Sequence, residues 1–211
     1  MYRKYVKRLL DIVCCLIALL LFWWVFLIVG ILVRVKMGSP IIYKSKRVGK
    51  NEESFEIYKF RSMTNETDEN GVLLPGPKRL TKFGRLLRST SLDEIPSIFN
   101  ILKGQMSIVG PRPLPEKYLP YFYEHERVRH SVLPGLTGWA QVNGRNAVTW
   151  DDKFRMDIEY VEKQSFLMDV RVILKTIGKV IKRSDIIQDD QLTGSLYIVR
   201  ADMNREGKKN V

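Results

Sequence analysis

"IVCCLIALLLFWWVFLIVGILV", Ile12–Val33, is 22 consecutive uncharged residues in a chain of 211. As an α-helix it is about 33 Å long at about 1.5 Å per residue, enough to cross a hydrocarbon layer of about 30 Å. A cleavable secretory signal has a shorter apolar core followed by a small-residue cleavage site, whereas this segment runs into Arg34 and Lys36. The chain is expected to be held in a membrane. The adjacent Cys14 and Cys15 lie inside the segment and read as small apolar residues, because neighbours make a poor disulfide.

Working outward, both flanks are basic. Arg3, Lys4, Lys7 and Arg8 precede the segment, and Arg34, Lys36, Lys44, Lys46, Arg47 and Lys50 follow it; Asp11 is the one carboxylate before Glu52. Short basic flanks tend to stay cytoplasmic, and a straight span would carry one of these clusters across. A segment that enters and turns back keeps both beside anionic headgroups, each basic residue gaining about 1 kcal/mol near the surface. Length favours the ordinary span and charge favours the returning one, so the residues alone leave both open.

The remaining chain has the composition of a folded domain. Hydrophobic residues are 45% and charged ones 27%, with a formal net charge of +12, which argues against disorder. Membrane attachment explains that charge as well as nucleic-acid binding does, and no nucleic-acid partner is expected. "IIYKSKRVG" and "SFEIYKFRSM" predict two short strands around the turn "KNEE". "TDENGVLLPGP" (67–77) reads as a loop. Thr81 predicts the cap of a short helix through Ser89, with Phe83, Leu86 and Leu87 inward. Ile95, Ile98, Phe99 and Leu102 predict a helix ended by Gly104, with Pro96 in its first turn. "MSIVGPRPLP" predicts a strand and a rigid turn displaying Arg112. "SFLMDVRVILKTIGKVIKR" (165–183) predicts a basic amphipathic helix, with Phe166, Val170, Ile173, Leu174, Ile177 and Ile181 on one face; core and membrane surface suit it equally. His125 and His130 miss the i,i+4 spacing of a helical zinc pair.

Five adjacent acidic pairs occur, and Asp93-Glu94 in "TSLDEIPSIF" stands out by its neighbours. Ser91-Leu92-Asp93-Glu94 fits a capping box, and Asp93 alone fits an N-cap. The other reading is chemical. A helix start favours anions, while two touching carboxylates raise each other's pKa unless cations or a divalent metal compensate. Lys59, Arg61, Arg88 and Arg112 supply the cations. Such a constellation suits phosphoryl transfer, with the carboxylate attacking phosphorus or holding Mg²⁺.

"YKFRSM", "TKFGRLLRSTSLDEIPSIFNILKGQMSIVGPRP", "RHSVLPGLTGWAQVNGRN" and "FLMDVRVILKTI", in this order, resemble the monotopic phosphoglycosyl transferases, the bacterial sugar transferase family that initiates glycan assembly. The resemblance implies an α+β fold: an N-terminal re-entrant membrane helix (1–39), then a compact, mostly helical catalytic domain (40–211) with short β-strands and a basic amphipathic helix. It implies a place in the bacterial cytoplasmic membrane, in contact with phospholipids, with the catalytic domain facing the cytoplasm. The implied reaction moves a sugar-1-phosphate from a UDP-sugar to undecaprenyl phosphate and releases UMP. By the same resemblance Asp93 is the nucleophile and Glu94 the adjacent Mg²⁺ ligand. Lys59, Arg88 and Arg112 lie at the phosphates, Arg145 near the nucleotide, and Asp169 at a further acidic position of the site. One departure stands out. Many members break the membrane helix with a proline, but here that place reads "LLFWWVF" (20–26), and the first proline is Pro40. A metal-dependent glycosyltransferase would release UDP instead of UMP, and a non-catalytic membrane adaptor would turn over no nucleotide.

Overall fold

The computed structural model describes residues 2–144, 148–182 and 195–207. After a π-helical turn at Tyr2–Val6, helix α1 (Lys7–Met37) carries the whole apolar segment. Its most apolar 18-residue window has a mean hydropathy of 3.1, and it is the one described helix long and apolar enough to cross a membrane. The helix is not uniform. Phe22 has φ −120° and ψ 16°, outside the helical region, and Leu20 to Trp24 around it are each at least half exposed.

Both arms of α1 pack against one body. Cys15 is buried among Phe55, Ile57, Ile101 and Met106, while Cys14 beside it is exposed. Val29, Val33 and Met37 of the second arm pack with Phe60 and Leu87. The Phe26 ring lies 5.0 Å from Phe60 and 5.7 Å from Phe99, centroid to centroid. Polar contacts pin the first arm: Asp11 accepts from Ser107 Oγ at 2.7 Å and from the Ile108 amide at 3.1 Å.

The body begins with the expected hairpin. Strands β1 (Ile42–Val48) and β2 (Ser54–Phe60) pair antiparallel from Ile42↔Phe60 to Val48↔Ser54 across a tight turn at Lys50–Glu52. Phe55, Ile57 and Phe60 are buried. The loop that follows ends in a short turn of helix, α2 (Gly76–Arg79), and leads to α3 (Lys82–Ser89). Thr81 caps α3 as expected, its hydroxyl accepting from the Gly84 amide at 3.0 Å. Leu87 is buried, but Leu86 points outward at 52% exposure, because only one narrow side of this short helix meets the body.

A 3₁₀ segment at Leu92–Ser97 runs into α4 (Ile98–Leu102), then β3 (Ser107–Val109), β4 (Gly135–Thr137) and α5 (Trp139–Asn143). Strands β3 and β4 pair in parallel. Their connections pass backbone against backbone: a Cβ on Gly135 would lie 2.1 Å from the Gly110 nitrogen, so no larger residue fits. Helices α6 (Trp150–Lys163), α7 (Phe166–Lys182) and α8 (Leu196–Gly207) complete the fold. Tyr118, Phe122, Trp150, Phe154 and Leu196 form the core under α6 and α8. A buried Arg200–Glu126 pair, at 2.5 and 2.7 Å, ties α8 to it.

Helix α7 lies within the expected 165–183, and of the two placements left open for its stripe the structure has the outward one. Met168 and Val172 enter the core, whereas Leu174, Ile177 and Ile181 are 64%, 50% and 76% exposed. The apolar stripe read from the spacing faces outward, and the true core contact is a narrower line beside it.

Candidate active site

Asp93 and Glu94 lie inside the 3₁₀ segment, not at a capped α-helix start. Ser91 has φ 56° and makes no side-chain cap; the Glu94 amide bonds the Ser91 carbonyl instead, at 3.2 Å. The capping-box and N-cap readings are therefore corrected. Pro96 accounts for the difference, since its ring would clash with the carbonyl four residues back, that of Leu92, in an α-turn, and the turns around it close in the tighter i→i+3 manner. Gly104, with φ 81°, does end the helix as expected.

Two buried polar residues fix this segment against β2. Asn100 accepts from the Tyr58 amide at 2.9 Å and donates to the Glu56 carbonyl at 2.7 Å, while Ser97 donates to the Tyr58 carbonyl at 2.8 Å. Both are fully buried, so these bonds satisfy groups that would otherwise be costly to desolvate. They also set the neighbouring Lys59 against the acidic pair. Lys59 Nζ donates to Glu94 Oε1 at 2.5 Å, and an Arg112 nitrogen lies 3.5 Å from the same oxygen.

Arg112 is delivered by the turn after β3. Its carbonyl accepts from Arg129 at 2.7 Å, and Arg129 is itself paired with Asp157. Arg47 donates to the next carbonyl, Pro113, at 3.3 Å. Arg88, at the end of α3, donates to Ser62 Oγ at 2.9 Å. Gly84 permits that approach, since a Cβ there would lie 1.9 Å from the Ser62 carbonyl oxygen. An open cleft beside the cluster is lined by Arg47, Lys59, Glu94 and Arg112 on its charged side and by Met106 and Leu136 on its apolar side.

The two carboxylates have opposite electrostatics. Asp93 is 5% exposed; burial and then the Glu94 charge push it up to about 6, against the pull of Lys59, Arg88 and Arg112. Burial would raise Glu94 as well, but Lys59 and Arg112 more than reverse it and hold Glu94 at about 2. Burial lowers Lys59 and Arg88 in turn. Near neutral pH Asp93 is thus ionised yet the more basic of the two, the property wanted of a carboxylate nucleophile. Three cations around it suit a reaction in which negative charge gathers on phosphate oxygens.

The structure brings Lys59, Arg88, Asp93, Glu94 and Arg112 together. Arg145 lies outside the described residues. Asp169 sits in a separate buried cluster, where its carboxylate accepts from Tyr2 and Tyr160 hydroxyls and from Lys7 Nζ at 2.5, 2.7 and 2.6 Å. There it holds the start of α1 against α7. No motif singles out Arg47, Ser62, Ser97 or Asn100 for the site, and only Ser97 and Asn100 are marked at all, by polarity between apolar neighbours.

Among the described residues no three His, Cys, Asp or Glu side chains converge as an all-protein metal cage. Mg²⁺ commonly takes one or two carboxylates plus substrate phosphate oxygens, and the Asp93-Glu94 pair beside a cationic cleft has that composition.

Residues 2–183 match the bacterial sugar transferase family, and the chain belongs to it. Over 198 residues it is 43% identical to an uncharacterized sugar transferase, EpsL, of Bacillus subtilis (strain 168), covering 94% of this chain and 98% of that protein. It is 36% identical to a UDP-N-acetylgalactosamine-undecaprenyl-phosphate N-acetylgalactosaminephosphotransferase of Aeromonas hydrophila and 36% identical to a UDP-glucose:undecaprenyl-phosphate glucose-1-phosphate transferase of Xanthomonas campestris pv. campestris. Those alignments cover 84% and 85% of this chain but 44% and 40% of the two relatives, so the chain spans less than half the length of either.

Proposed function

We propose that this protein transfers a sugar-1-phosphate from a UDP-sugar to undecaprenyl phosphate, as the names of the Aeromonas and Xanthomonas relatives describe for those proteins. Asp93 attacks the sugar-bearing phosphorus; the bond to the bridging oxygen breaks and UMP leaves. The lipid phosphate then attacks the same phosphorus, frees the Asp93 carboxylate and gives the sugar diphospholipid. Lys59, Arg88 and Arg112 bind and orient the phosphates, and Arg145 is assigned to the nucleotide. Mg²⁺, held at Glu94, would neutralise phosphate charge. The observation that carries the reading is the buried Asp93, raised to about 6 among three cations.

We read α1 as re-entrant, with the catalytic body on the cytoplasmic face. In support, side chains of both arms, Cys15 before the break and Val33 after it, pack into the same body, which a straight span would divide across the membrane. The outward stripe of α7, with the exposed Arg171 and Lys175 beside it, suits a helix lying on phospholipid.

The test is to incubate the protein with a UDP-sugar, undecaprenyl phosphate and Mg²⁺. UMP is expected, with loss of turnover on chelation and a sugar-phosphate adduct on intact mass when acceptor is withheld. UDP as the nucleotide product, or an unmodified mass under conditions that still form product, would overturn the covalent reading.

A further inference from the structure

A helix breaks for a physical reason: a proline, glycine or serine pairs, a π-bulge, or a side chain entering the i→i−4 ladder. Around Phe22 the first two are absent from the sequence. The first proline is Pro40, and the one glycine of the apolar segment, Gly30, lies eight residues downstream. The break falls in the most exposed part of α1, between two arms that both pack on the body, so packing draws the arms together but places no side chain of the body in the ladder at the break. What stands there is a side-chain bond: Trp24 Nε1 donates to the Leu21 carbonyl at 3.0 Å.

That carbonyl is the last before the break, and its regular partner, the Val25 amide, lies on the far side. In hydrocarbon no water can take the place of a lost partner, so a break survives only where another donor serves the backbone. We propose that the break draws the Val25 amide away from the Leu21 carbonyl, that the Trp24 indole is the replacement donor, and that it is the positioning residue which keeps α1 bent. The inference rests on the re-entrant reading above and adds the device that maintains it. Without the indole N–H, the Leu21 carbonyl is best served by the regular ladder, and a straight α1 is favoured. A straightened segment would pull Lys7, Arg8 and Asp11 away from Asp169, α4 and Ser107. Trp23 provides an internal control: it is 61% exposed, and its indole makes no hydrogen bond among the described residues.

The test uses the full chain in spheroplasts, with Tyr5→Cys as an aqueous reporter before the apolar segment and a membrane-impermeant maleimide added outside. The chain without the added cysteine gives the background of Cys14 and Cys15, and labelling after permeabilisation normalises for protein amount. Tyr5→Cys alone is expected at background. Adding Trp24→Phe, which keeps an aromatic ring and removes the donor, is expected to raise outside labelling at least fivefold. Adding Trp23→Phe is expected to leave it at background. Phe22→Pro, introduced beside Trp24→Phe, is expected to restore protection by breaking the ladder independently. Background labelling with Trp24→Phe would overturn the role of the indole while leaving the re-entrant reading intact. An equal rise with Trp23→Phe would also overturn it, by making ring anchoring the cause. Outside labelling of Tyr5→Cys in the otherwise native chain would overturn the topology itself and the inference with it.

Discussion

Asp11 of the membrane helix accepts a 2.7 Å hydrogen bond from Ser107, at the start of the strand whose following turn delivers Arg112. Anchor and site are thereby joined through one buried carboxylate. Asp11→Ala leaves the Ile108 amide without its acceptor, at about 1–3 kcal/mol, and leaves the Ser107 hydroxyl only its 3.1 Å bond to the Val109 carbonyl. The expected result is a melting temperature in detergent lowered by roughly 4–8 °C, with a smaller loss for Ser107→Ala.

Asp93 should cost stability where it serves chemistry. Its pKa in the fold, about 6, lies above the ordinary 3.8, so between those values the native state binds more protons than the unfolded one. Stability then falls as pH rises through that window and stays lower above it. Asp93→Asn is expected to abolish UMP release and, at pH 7.5, to raise unfolding stability by on the order of 3 kcal/mol. Paired denaturation curves at pH 4 and pH 7.5 check this, the gain appearing only at the higher pH.

The same group sets an acid limb on activity. Turnover at low substrate should decline as pH falls through about 6, where Asp93 takes up its proton, because a protonated carboxyl is a poor nucleophile. Glu94, held near 2, stays charged throughout that range and should add no second step. A kcat/KM profile from pH 5 to 8 checks the single limb.

Lys59 and Glu94 should behave as a coupled pair. Their bond is 2.5 Å long with side chains only 13% and 20% exposed, and removing one partner of a buried pair strands the other. Lys59→Met and Glu94→Gln are each expected to destabilise the fold. The double variant should lose less than the sum of the two, leaving a coupling energy of about 1–3 kcal/mol in a double-mutant cycle.

Gly84 is the spacing device for Arg88. In Gly84→Ala the new methyl meets the Ser62 carbonyl at 1.9 Å, so α3 must move away and the Arg88–Ser62 bond with it. Activity should drop at least tenfold, and structure determination of the variant should find α3 displaced from the end of β2.

Much of this arrangement is legible in the chain because it depends on local signals. The hairpin follows from β-branched and aromatic runs around a polar turn, α3 from Thr81, and the end of α4 from Gly104. The 3₁₀ character at Asp93 is not legible in the spacing, because the same apolar pattern fits both helix types and only Pro96 tips the balance. The outward face of α7 is invisible in periodicity, which shows that a stripe exists without showing what covers it. Contacts such as Asn100 to the β2 backbone or Lys7 to Asp169 join residues distant in sequence, and no local pattern announces them. Tyr2, Lys7 and Tyr160 occupy the Asp169 carboxylate in this way.

Arg8 donates to the Ile101 and Leu102 carbonyls and so closes the end of α4 from the first turn of the anchor. The opening residues are thus part of the enzyme's interior scaffold, and the anchor is not a detachable tether. A soluble fragment starting near residue 40 would lose that closure and uncover the apolar floor once sealed by Cys15 and Val33, so detergent or nanodisc preparations of the intact chain are the appropriate material for crystallisation and inhibitor screening.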